Sequence, residues 1–187
     1  MTIGYTTGVY DLFHIGHLNL LKNAKGMCDK LIVGVTVDEL VTYKGKKAMI
    51  PFEDRIEIVR SIKYVDAAVP QYDMDKLEAC KKLGAQFLFV GDDWYGTEKW
   101  QEYERQFAEA GIKIVYFPYT KGVSSTQITK ALDAVRGHDF GVVSERGRDN
   151  VDAAAPENVD YSDSFDVFEA VGKRDKDFFH NEGILAK

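Results

Sequence analysis

Apolar residues follow two kinds of spacing along the chain, and their alternation predicts the fold. Runs rich in β-branched and aromatic residues predict five strands, at residues 3–7, 31–37, 65–69, 87–91 and 112–117. The stretches between them have helical spacing or helix start and stop residues, and they predict helices across 18–24, 51–62, 75–83, 99–110 and 124–134. Strands that alternate with helices across short loops favour an α/β fold with a doubly wound parallel sheet of five strands.

The regular alternation ends before the last quarter of the chain, where the composition also changes. Residues 138–187 contain 12 acidic and 6 basic residues, whereas residues 1–137 contain 18 of each. The first half of this last segment is polar and acidic, which favours mobility or an extended path, while phenylalanines in its second half offer apolar side chains for docking on the core or on a partner subunit. We predict a domain at 1–136 and a C-terminal extension at 137–187 that is partly mobile or docked.

The remaining composition argues against several classes of protein. No apolar run has the length of a membrane span, and no signal-peptide pattern opens the chain. The two cysteines, Cys28 and Cys80, lack metal-binding or redox spacing, so we interpret them as reduced packing residues of a cytoplasmic protein. The balanced charge of residues 1–137 provides no basic surface for nucleic acid. We therefore expect neither a membrane nor a nucleic-acid partner.

The most informative stretch joins the first strand to the first helix, from Gly8 to Leu18. It reads as strand, glycine turn and helix start, and such a helix start binds anions because its first N–H groups lack intrahelical partners. Gly8 allows the backbone to approach a ligand, and Gly16 allows packing against the first helical turn. His14 and His17 share one face of that turn and suit holding a polyphosphate while charge develops on it. The alternative is a plain turn with two packing histidines.

Several other polar residues also follow predicted strands. The carboxyl ends of parallel strands share one edge of the sheet, which is where open α/β sheets bind ligands. These side chains are therefore expected to converge with the two histidines on a single site. They are Asp38, Lys44, Asp92, Asp93, Ser125 and Thr126.

Three stretches together resemble one family. Residues 8–17 read G-x-Y-D-x-x-H-x-G-H, residues 91–94 read G-D-D-W, and residues 122–126 read G-V-S-S-T. These motifs are similar to those of the glycerol-3-phosphate cytidylyltransferases, a branch of the nucleotidyltransferases that carry the H-x-G-H motif. The resemblance covers about residues 1–135 and implies a Rossmann-like domain, but it does not reach the C-terminal extension.

The resemblance implies transfer of a cytidylyl group from CTP to a phosphorylated alcohol, with release of pyrophosphate. The attacking phosphate oxygen is already ionised, so the reaction needs anions brought together and charge stabilised more than it needs a general base. Glycerol 3-phosphate is the expected acceptor and CDP-glycerol the product, for teichoic-acid-like or capsular polymers. Phosphoethanolamine, phosphocholine, ribitol phosphate and heptose phosphate stay open as acceptors. The family also implies Mg²⁺ with CTP and a homodimer.

The same resemblance assigns roles to individual residues. The expected catalytic residues are His14, His17 and Lys44. The expected nucleotide-binding residues are Gly8, Val9, Tyr10, Asp11, Gly16, Asp93, Lys121, Gly122, Ser124, Ser125 and Thr126. The expected acceptor-binding residues are Arg55, Trp94 and Lys46, and no residue is assigned as a metal ligand. Alternatives stay open for two of them, since Arg55 could instead hold Asp54, and Asp11 could orient a donor, bind the acceptor or help to hold Mg²⁺.

One departure from the family pattern lies at residues 119–121, which read Tyr-Thr-Lys where the family has Arg-Thr-Glu. The arginine of the family binds phosphate. We hypothesise that Lys121 restores a positive charge from another direction. If nothing restores it, the protein is a nucleotide-binding sensor or assembly partner without turnover. An adenylyltransferase that uses ATP is a further alternative.

Overall fold

The sheet has the number and direction of strands that the pattern predicts. The computed structural model describes residues 1–43 and 47–136. The strands are β1 Ile3–Gly8, β2 Lys30–Thr36, β3 Ala67–Gln71, β4 Phe87–Gly91 and β5 Lys113–Phe117. Within the described residues all pairings are parallel, in the order β3-β2-β1-β4-β5. The predicted doubly wound, Rossmann-like α/β fold is confirmed, and the predicted extension at 137–187 lies outside the described residues.

Six α-helices accompany these strands in the described part of the chain. They are α1 Ile15–Lys25, α2 Asp38–Tyr43, α3 Phe52–Arg60, α4 Lys76–Lys82, α5 Glu98–Glu109 and α6 Ser125–Arg136. Five match predicted helices, but α2 begins where the sequence predicts only a strand end and a loop. Asp38 and Glu39 lie in the first turn of α2, where acidic residues suit the positive end of the helix dipole. None of the helices in 1–43 and 47–136 is long and apolar enough to cross a membrane.

Residues of each strand alternate between two apolar layers, as the pleat requires. One layer packs with α1 and α3 and includes Leu31, Val33 and Phe89. The other packs with α4 and α5 and includes Ile32 and Leu88. Both faces of the sheet are therefore covered, which explains why the central strands have continuous apolar runs rather than alternating ones.

β3 differs from its prediction because it contains a proline. The pattern predicts a strand at 65–69 that ends before Pro70, but β3 continues through Pro70 to Gln71, and Pro70 lies opposite Val35 of β2. β3 is at the edge of the sheet. An edge strand tolerates a residue that lacks an N–H, so the proline does not end the strand.

Gly34 lies in β2 and leaves room for a buried hydroxyl. A Cβ at this position would lie 2.2 Å from Oη and 2.9 Å from Cζ of Tyr5, whose ring is buried. We expect Gly34→Ala to lower the free energy of unfolding by about 1–3 kcal/mol, which is the usual cost of overpacking. Urea denaturation at neutral pH measures this loss.

Tyr5→Phe is the matched control for this prediction, because it removes the oxygen that the added methyl group would meet. The double variant Tyr5→Phe/Gly34→Ala is expected to lose less stability than the sum of the two single variants. A simple sum would contradict the predicted clash between Gly34→Ala and the hydroxyl.

Candidate active site

A strained turn carries the chain from β1 into α1. Tyr10 and Leu12 have left-handed backbone conformations, with φ of 55° and 45°, which residues other than glycine rarely adopt. The Tyr10 side chain is buried, and the Asp11 carboxylate accepts a hydrogen bond from the Leu12 N–H at 3.0 Å. Backbone strain of this kind concentrates at functional sites, which supports a site at the end of β1.

His14 and His17 cap the start of α1 and pack on each other. Nδ1 of His14 accepts a hydrogen bond from the Gly16 N–H at 3.0 Å, and Nδ1 of His17 accepts one from the His14 N–H at 3.4 Å. The two rings are stacked, with centroids 3.9 Å apart. A neutral imidazole that accepts at Nδ1 carries its proton on Nε2, so the hydrogen-bond geometry assigns an Nε2–H donor to each ring.

Both histidines favour the neutral form. Burial lowers the pKa of His17 to about 4, with a further contribution from the neighbouring His14, and burial also lowers the pKa of His14. The rings of Tyr10 and Phe13 lie 5.3 Å and 5.4 Å from the ring of His17 and shield it from water. At neutral pH the pair therefore presents two N–H donors to an anion rather than two positive charges.

The low pKa of His17 links the stability of the fold to pH. An unfolded histidine has a pKa of about 6.5, and folded His17 has a pKa of about 4, so between these values the unfolded chain binds a proton that the folded chain does not. The free energy of unfolding is therefore expected to fall as the pH is lowered through this window. Urea midpoints at about pH 7 and about pH 4.5 measure the change.

His17→Gln is the control for this pH dependence, because glutamine does not titrate. The variant is expected to lose less stability than the wild type between the two pH values, since carboxylates contribute equally to both proteins. Equal losses in the two proteins would contradict the assignment of the effect to His17.

Gly16 lets the His14 ring lie against the helix start. A Cβ at Gly16 would lie 2.8 Å from Cε1 and 2.9 Å from Nδ1 of His14, so a larger residue would displace the ring from its capping position. Gly8 has a looser fit, because a Cβ there would lie 3.3 Å from the Tyr10 ring. Both glycines therefore have packing roles, and their contact with a ligand stays a prediction.

Asp11 anchors two backbone segments at the site. Its carboxylate accepts hydrogen bonds from the N–H groups of Met49 at 2.9 Å and Ile50 at 3.0 Å, in addition to that of Leu12. Its carbonyl accepts a hydrogen bond from Oγ of Ser125 at 2.7 Å. We assign Asp11 to organising the chain that enters α3. Among the described residues, no group of three His, Cys, Asp or Glu side chains could hold a metal ion.

Arg55 is buried and pairs with a different acidic residue from the one expected. Its side chain is 0% exposed, and Nη2 pairs with Asp38 at 2.5 Å rather than with Asp54. Its Nε and Nη1 atoms donate to three carbonyls, those of Ile50 at 2.9 Å, Val9 at 2.6 Å and Thr36 at 2.8 Å. Four of its five N–H groups are thus used within the protein. The side chain thus joins the ends of β1 and β2 to the chain that enters α3, and its expected acceptor-binding role stays a prediction.

The start of α6 lies beside the turn after β1. Ser125 joins the two through its hydrogen bond to the Asp11 carbonyl, and Oγ of Ser124 accepts a main-chain N–H of the first turn at 3.1 Å. Gly122 has a φ of 88°, which glycine adopts without strain. The Ser125 O–H is used by the Asp11 carbonyl, whereas Oγ of Ser124 is used only as an acceptor. The start of α6 therefore presents the Ser124 O–H and the first N–H groups that lack partners within the helix, including that of Thr126.

The β5–α6 loop, residues 118–124, is fixed by contacts that sequence reasoning missed. The Tyr119 N–H donates to Oδ1 of Asp92 at 3.1 Å, and Oη of Tyr119 donates to the Val123 carbonyl at 3.1 Å. Nδ2 of Asn19 in α1 donates to Oγ1 of Thr120 at 3.2 Å. The position of Asp92 after a strand was a usable signal, but no local pattern marks Asn19, whose partner is 101 residues away in the chain.

The other predicted site residues are placed as follows. Lys44 and Lys46 lie outside the described residues. Asp93 and Trp94 lie in a single 3₁₀ turn directly after β4, and Lys121 is exposed in the β5–α6 loop. Their predicted contacts with nucleotide or acceptor stay predictions.

The site lies where the strand order reverses, between β1 and β4, which is the usual ligand position in such sheets. Two helix starts are joined there, and the start of α1 carries two imidazoles that accept main-chain N–H groups through Nδ1. This combination suits a polyphosphate chain and defines the class of nucleotidyltransferases. The chain belongs to the cytidylyltransferase-like family, whose model matches residues 5–131.

Similar proteins include enzymes with different names. The chain is 36% identical over 128 residues to a glycerol-3-phosphate cytidylyltransferase of Bacillus spizizenii, a match that covers 68% of this chain and 94% of that protein. It is 30% identical over 131 residues to an FAD synthase of Thermococcus kodakarensis, across 68% of this chain and 87% of that one. A crystal structure of a lipopolysaccharide core biosynthesis protein from Thermoplasma volcanium is similar with a TM-score of 0.56 and 25% identity, and covers 66% of this chain and 99% of that one.

Proposed function

We propose that this protein transfers CMP from CTP to glycerol 3-phosphate and releases pyrophosphate. The observation that carries the proposal is the pair of neutral imidazoles, His14 and His17, whose Nε2–H donors lie at the start of α1. The choice of substrate is supported by the name of the 36% identical relative, 94% of whose length is covered by the match. The G-D-D-W stretch at 91–94 adds weaker support for the same acceptor.

In the proposed reaction an oxygen of the acceptor's phosphate forms a bond to the α-phosphorus of CTP. The bond from that phosphorus to the bridging oxygen breaks, and pyrophosphate leaves with the electron pair. Because the nucleophile is already ionised, the main barrier is the charge on the approaching and leaving groups. His14, His17 and the first N–H groups of α1 and α6 are proposed to donate to triphosphate oxygens from fixed positions. Lys44 is proposed to add a positive charge to the same phosphates.

Mg²⁺ is proposed to enter the site with CTP. This ion usually keeps several waters and is held by substrate phosphates with one or two carboxylates. Asp11 is the carboxylate that the sequence offers as a possible Mg²⁺ ligand, but it already accepts hydrogen bonds from three N–H groups. The ion is therefore proposed to be held mainly by the triphosphate and water, where it neutralises part of the charge on the leaving pyrophosphate.

The first experiment is pyrophosphate release with CTP and Mg²⁺ across a panel of acceptors. The panel contains glycerol 3-phosphate, ribitol 5-phosphate, phosphoethanolamine, phosphocholine and a heptose phosphate, with ATP in place of CTP as the nucleotide control. Release with CTP and glycerol 3-phosphate alone is the expected result. Release with another acceptor would show that this acceptor, and not glycerol 3-phosphate, is the substrate. Turnover with ATP but not CTP would indicate an adenylyltransferase. CTP binding without any turnover would indicate a nucleotide sensor.

Lys121 is the residue proposed to replace the positive charge of the family's arginine. If its exposed ammonium reaches the triphosphate, Lys121→Ala raises KM for CTP by about 10- to 100-fold, the value of one charge-assisted hydrogen bond. Lys113→Ala is the control, since Lys113 is also exposed but lies at the opposite end of β5. An unchanged KM for CTP in Lys121→Ala would reject the compensation.

The assembly proposed from the resemblance is a cytoplasmic homodimer. Sedimentation velocity of the full chain measures the oligomeric state, and a single monomeric species at micromolar concentration would reject the dimer. A variant truncated at Gly137 tests the extension in the same experiment. If that variant keeps full activity and the same oligomeric state, the extension has no part in either.

A further inference from the structure

We propose that Asn19 is a positioning residue. It ties the β5–α6 loop to α1 and so sets the distance between the two helix starts that hold the nucleotide's phosphates. The inference rests on the proposed function for its kinetic consequences, but its structural part concerns the protein without nucleotide. The motifs assign no role to this residue.

The hydrogen bond between Asn19 and Thr120 lies close to the histidines along α1. Nδ2 of Asn19 donates to Oγ1 of Thr120 at 3.2 Å, and Asn19 lies less than one helical turn beyond Gly16. A Cβ at Gly16 would lie 3.7 Å from Cβ of Thr120, so Thr120 lies beside the first turn of α1. The loop therefore contacts α1 where the His14 ring caps it.

The rest of the β5–α6 loop is held by other residues, so the contact with α1 completes a closed arrangement. Tyr119 attaches the loop to Asp92 after β4 and, through its hydroxyl, to the Val123 carbonyl. Ser125 attaches the start of α6 to the turn after β1. With the Asn19 hydrogen bond, the loop is joined to the chain that follows β1, to the chain that follows β4 and to α1.

This arrangement matters because a triphosphate has to reach both helix starts at once. The donors at the start of α1 and those at the start of α6 belong to separate segments, and a displacement of about 1 Å between donor groups is enough to lower a rate about 100-fold. Tyr119 uses its hydroxyl within its own loop. The hydrogen bond from Tyr119 to Val123 therefore makes the β5–α6 loop more rigid. The hydrogen bond from Asn19 to Thr120 then fixes this loop relative to the histidines.

The kinetic test uses Asn19→Ala, Thr120→Val and the double variant in the full-length protein. Each single variant is expected to raise KM for CTP by about fivefold to tenfold, the value of one hydrogen bond. The KM for the acceptor is expected to stay within about twofold. The double variant is expected to be no worse than either single one, because both remove the same contact. Thr120→Ser keeps the hydroxyl and is expected to recover most of the loss of Thr120→Val.

Asn23→Ala is the matched control. Asn23 lies one turn further along α1 and is exposed, so this change has the same effect on helix propensity without touching the loop. Its KM for CTP is expected to equal that of the wild type. An equal rise in Asn23→Ala, or additive losses in the double variant, would overturn the proposal.

A second measurement separates this proposal from the proposed function. Hydrogen exchange of amides 119–126 is expected to be faster in Asn19→Ala than in Asn23→Ala in the absence of nucleotide, and the affinity for inorganic tripolyphosphate is expected to fall about fivefold to tenfold. Neither readout depends on the base or the acceptor. Unchanged exchange and unchanged tripolyphosphate affinity would overturn the role of Asn19 even if CTP is the substrate, whereas a wild type inactive with CTP would reject only the proposed function.

Discussion

Replacing His17 by alanine is expected to lower kcat/KM for CTP by about 100- to 1000-fold, the usual effect of removing one fixed donor to a developing charge. The Nδ1 of His17 is occupied by the His14 N–H, so its ring acts through Nε2. Tyr10 and Phe13 pack against the ring and hold it in place. Steady-state pyrophosphate release with CTP varied measures the loss.

Two variants show whether the lost donor causes the effect. His17→Gln places an amide nitrogen near the former position of Nε2 and is expected to keep clearly more activity than His17→Ala. Asn23→Ala, on the exposed side of α1, is expected to match the wild type. A loss of less than about tenfold in His17→Ala, below the range for a fixed donor, would contradict the assignment, as would equal losses in His17→Ala and His17→Gln.

A His17 variant tests the donor role better than a His14 variant, because the two histidines contribute differently to the stability of α1. Nδ1 of His14 accepts the Gly16 N–H at 3.0 Å and acts as the N-cap of α1, and loss of an N-cap commonly costs about 1 kcal/mol of stability. The corresponding hydrogen bond to His17 is long, at 3.4 Å, and contributes little. A His14 variant therefore changes stability and activity together, whereas a His17 variant acts mainly on the donor.

The fold could be predicted because its determinants are local. Continuous apolar runs such as 31–37 mark strands covered on both faces, and the helices are marked by spacing and by start and stop residues. A doubly wound sheet brings the ends of these strands to one edge. The position of the His14 turn beside the start of α6 follows from that topology, as the hydrogen bond from Ser125 to Asp11 indicates.

The parts that could not be predicted depend on contacts between distant segments. Pro70 normally argues against a strand, but it lies on an edge strand, and strand order is not a local property. Asn19 has no sequence pattern of its own, because its partner belongs to the loop after the last strand. Arginines are rarely fully buried, so nothing in the sequence around Arg55 indicates that its guanidinium faces three carbonyls rather than solvent.

Arg55 carries the largest expected effect on stability. We expect Arg55→Met to lower the free energy of unfolding by about 3–5 kcal/mol, which corresponds to three carbonyls that lose their donors at about 1–3 kcal/mol each. The physical reason is that methionine fills part of the volume but leaves buried carbonyls without donors, and each unsatisfied buried group costs about 1–3 kcal/mol. Asp38, the ionic partner, is 47% exposed and regains water, so the carbonyls rather than the carboxylate account for most of the loss. Urea denaturation at neutral pH measures it.

Arg105→Met is the control for Arg55→Met. The Arg105 side chain lies on α5, is 75% exposed and pairs with Glu102, and an exposed pair of this kind contributes at most about 1 kcal/mol. Arg55→Lys separates a structural role from acceptor binding, because lysine keeps the charge but cannot reach three carbonyls and a carboxylate at once. If Arg55 is structural, Arg55→Lys loses stability while KM for the acceptor in the folded protein stays unchanged. A raised acceptor KM with wild-type stability would instead support the acceptor-binding role that the sequence predicts.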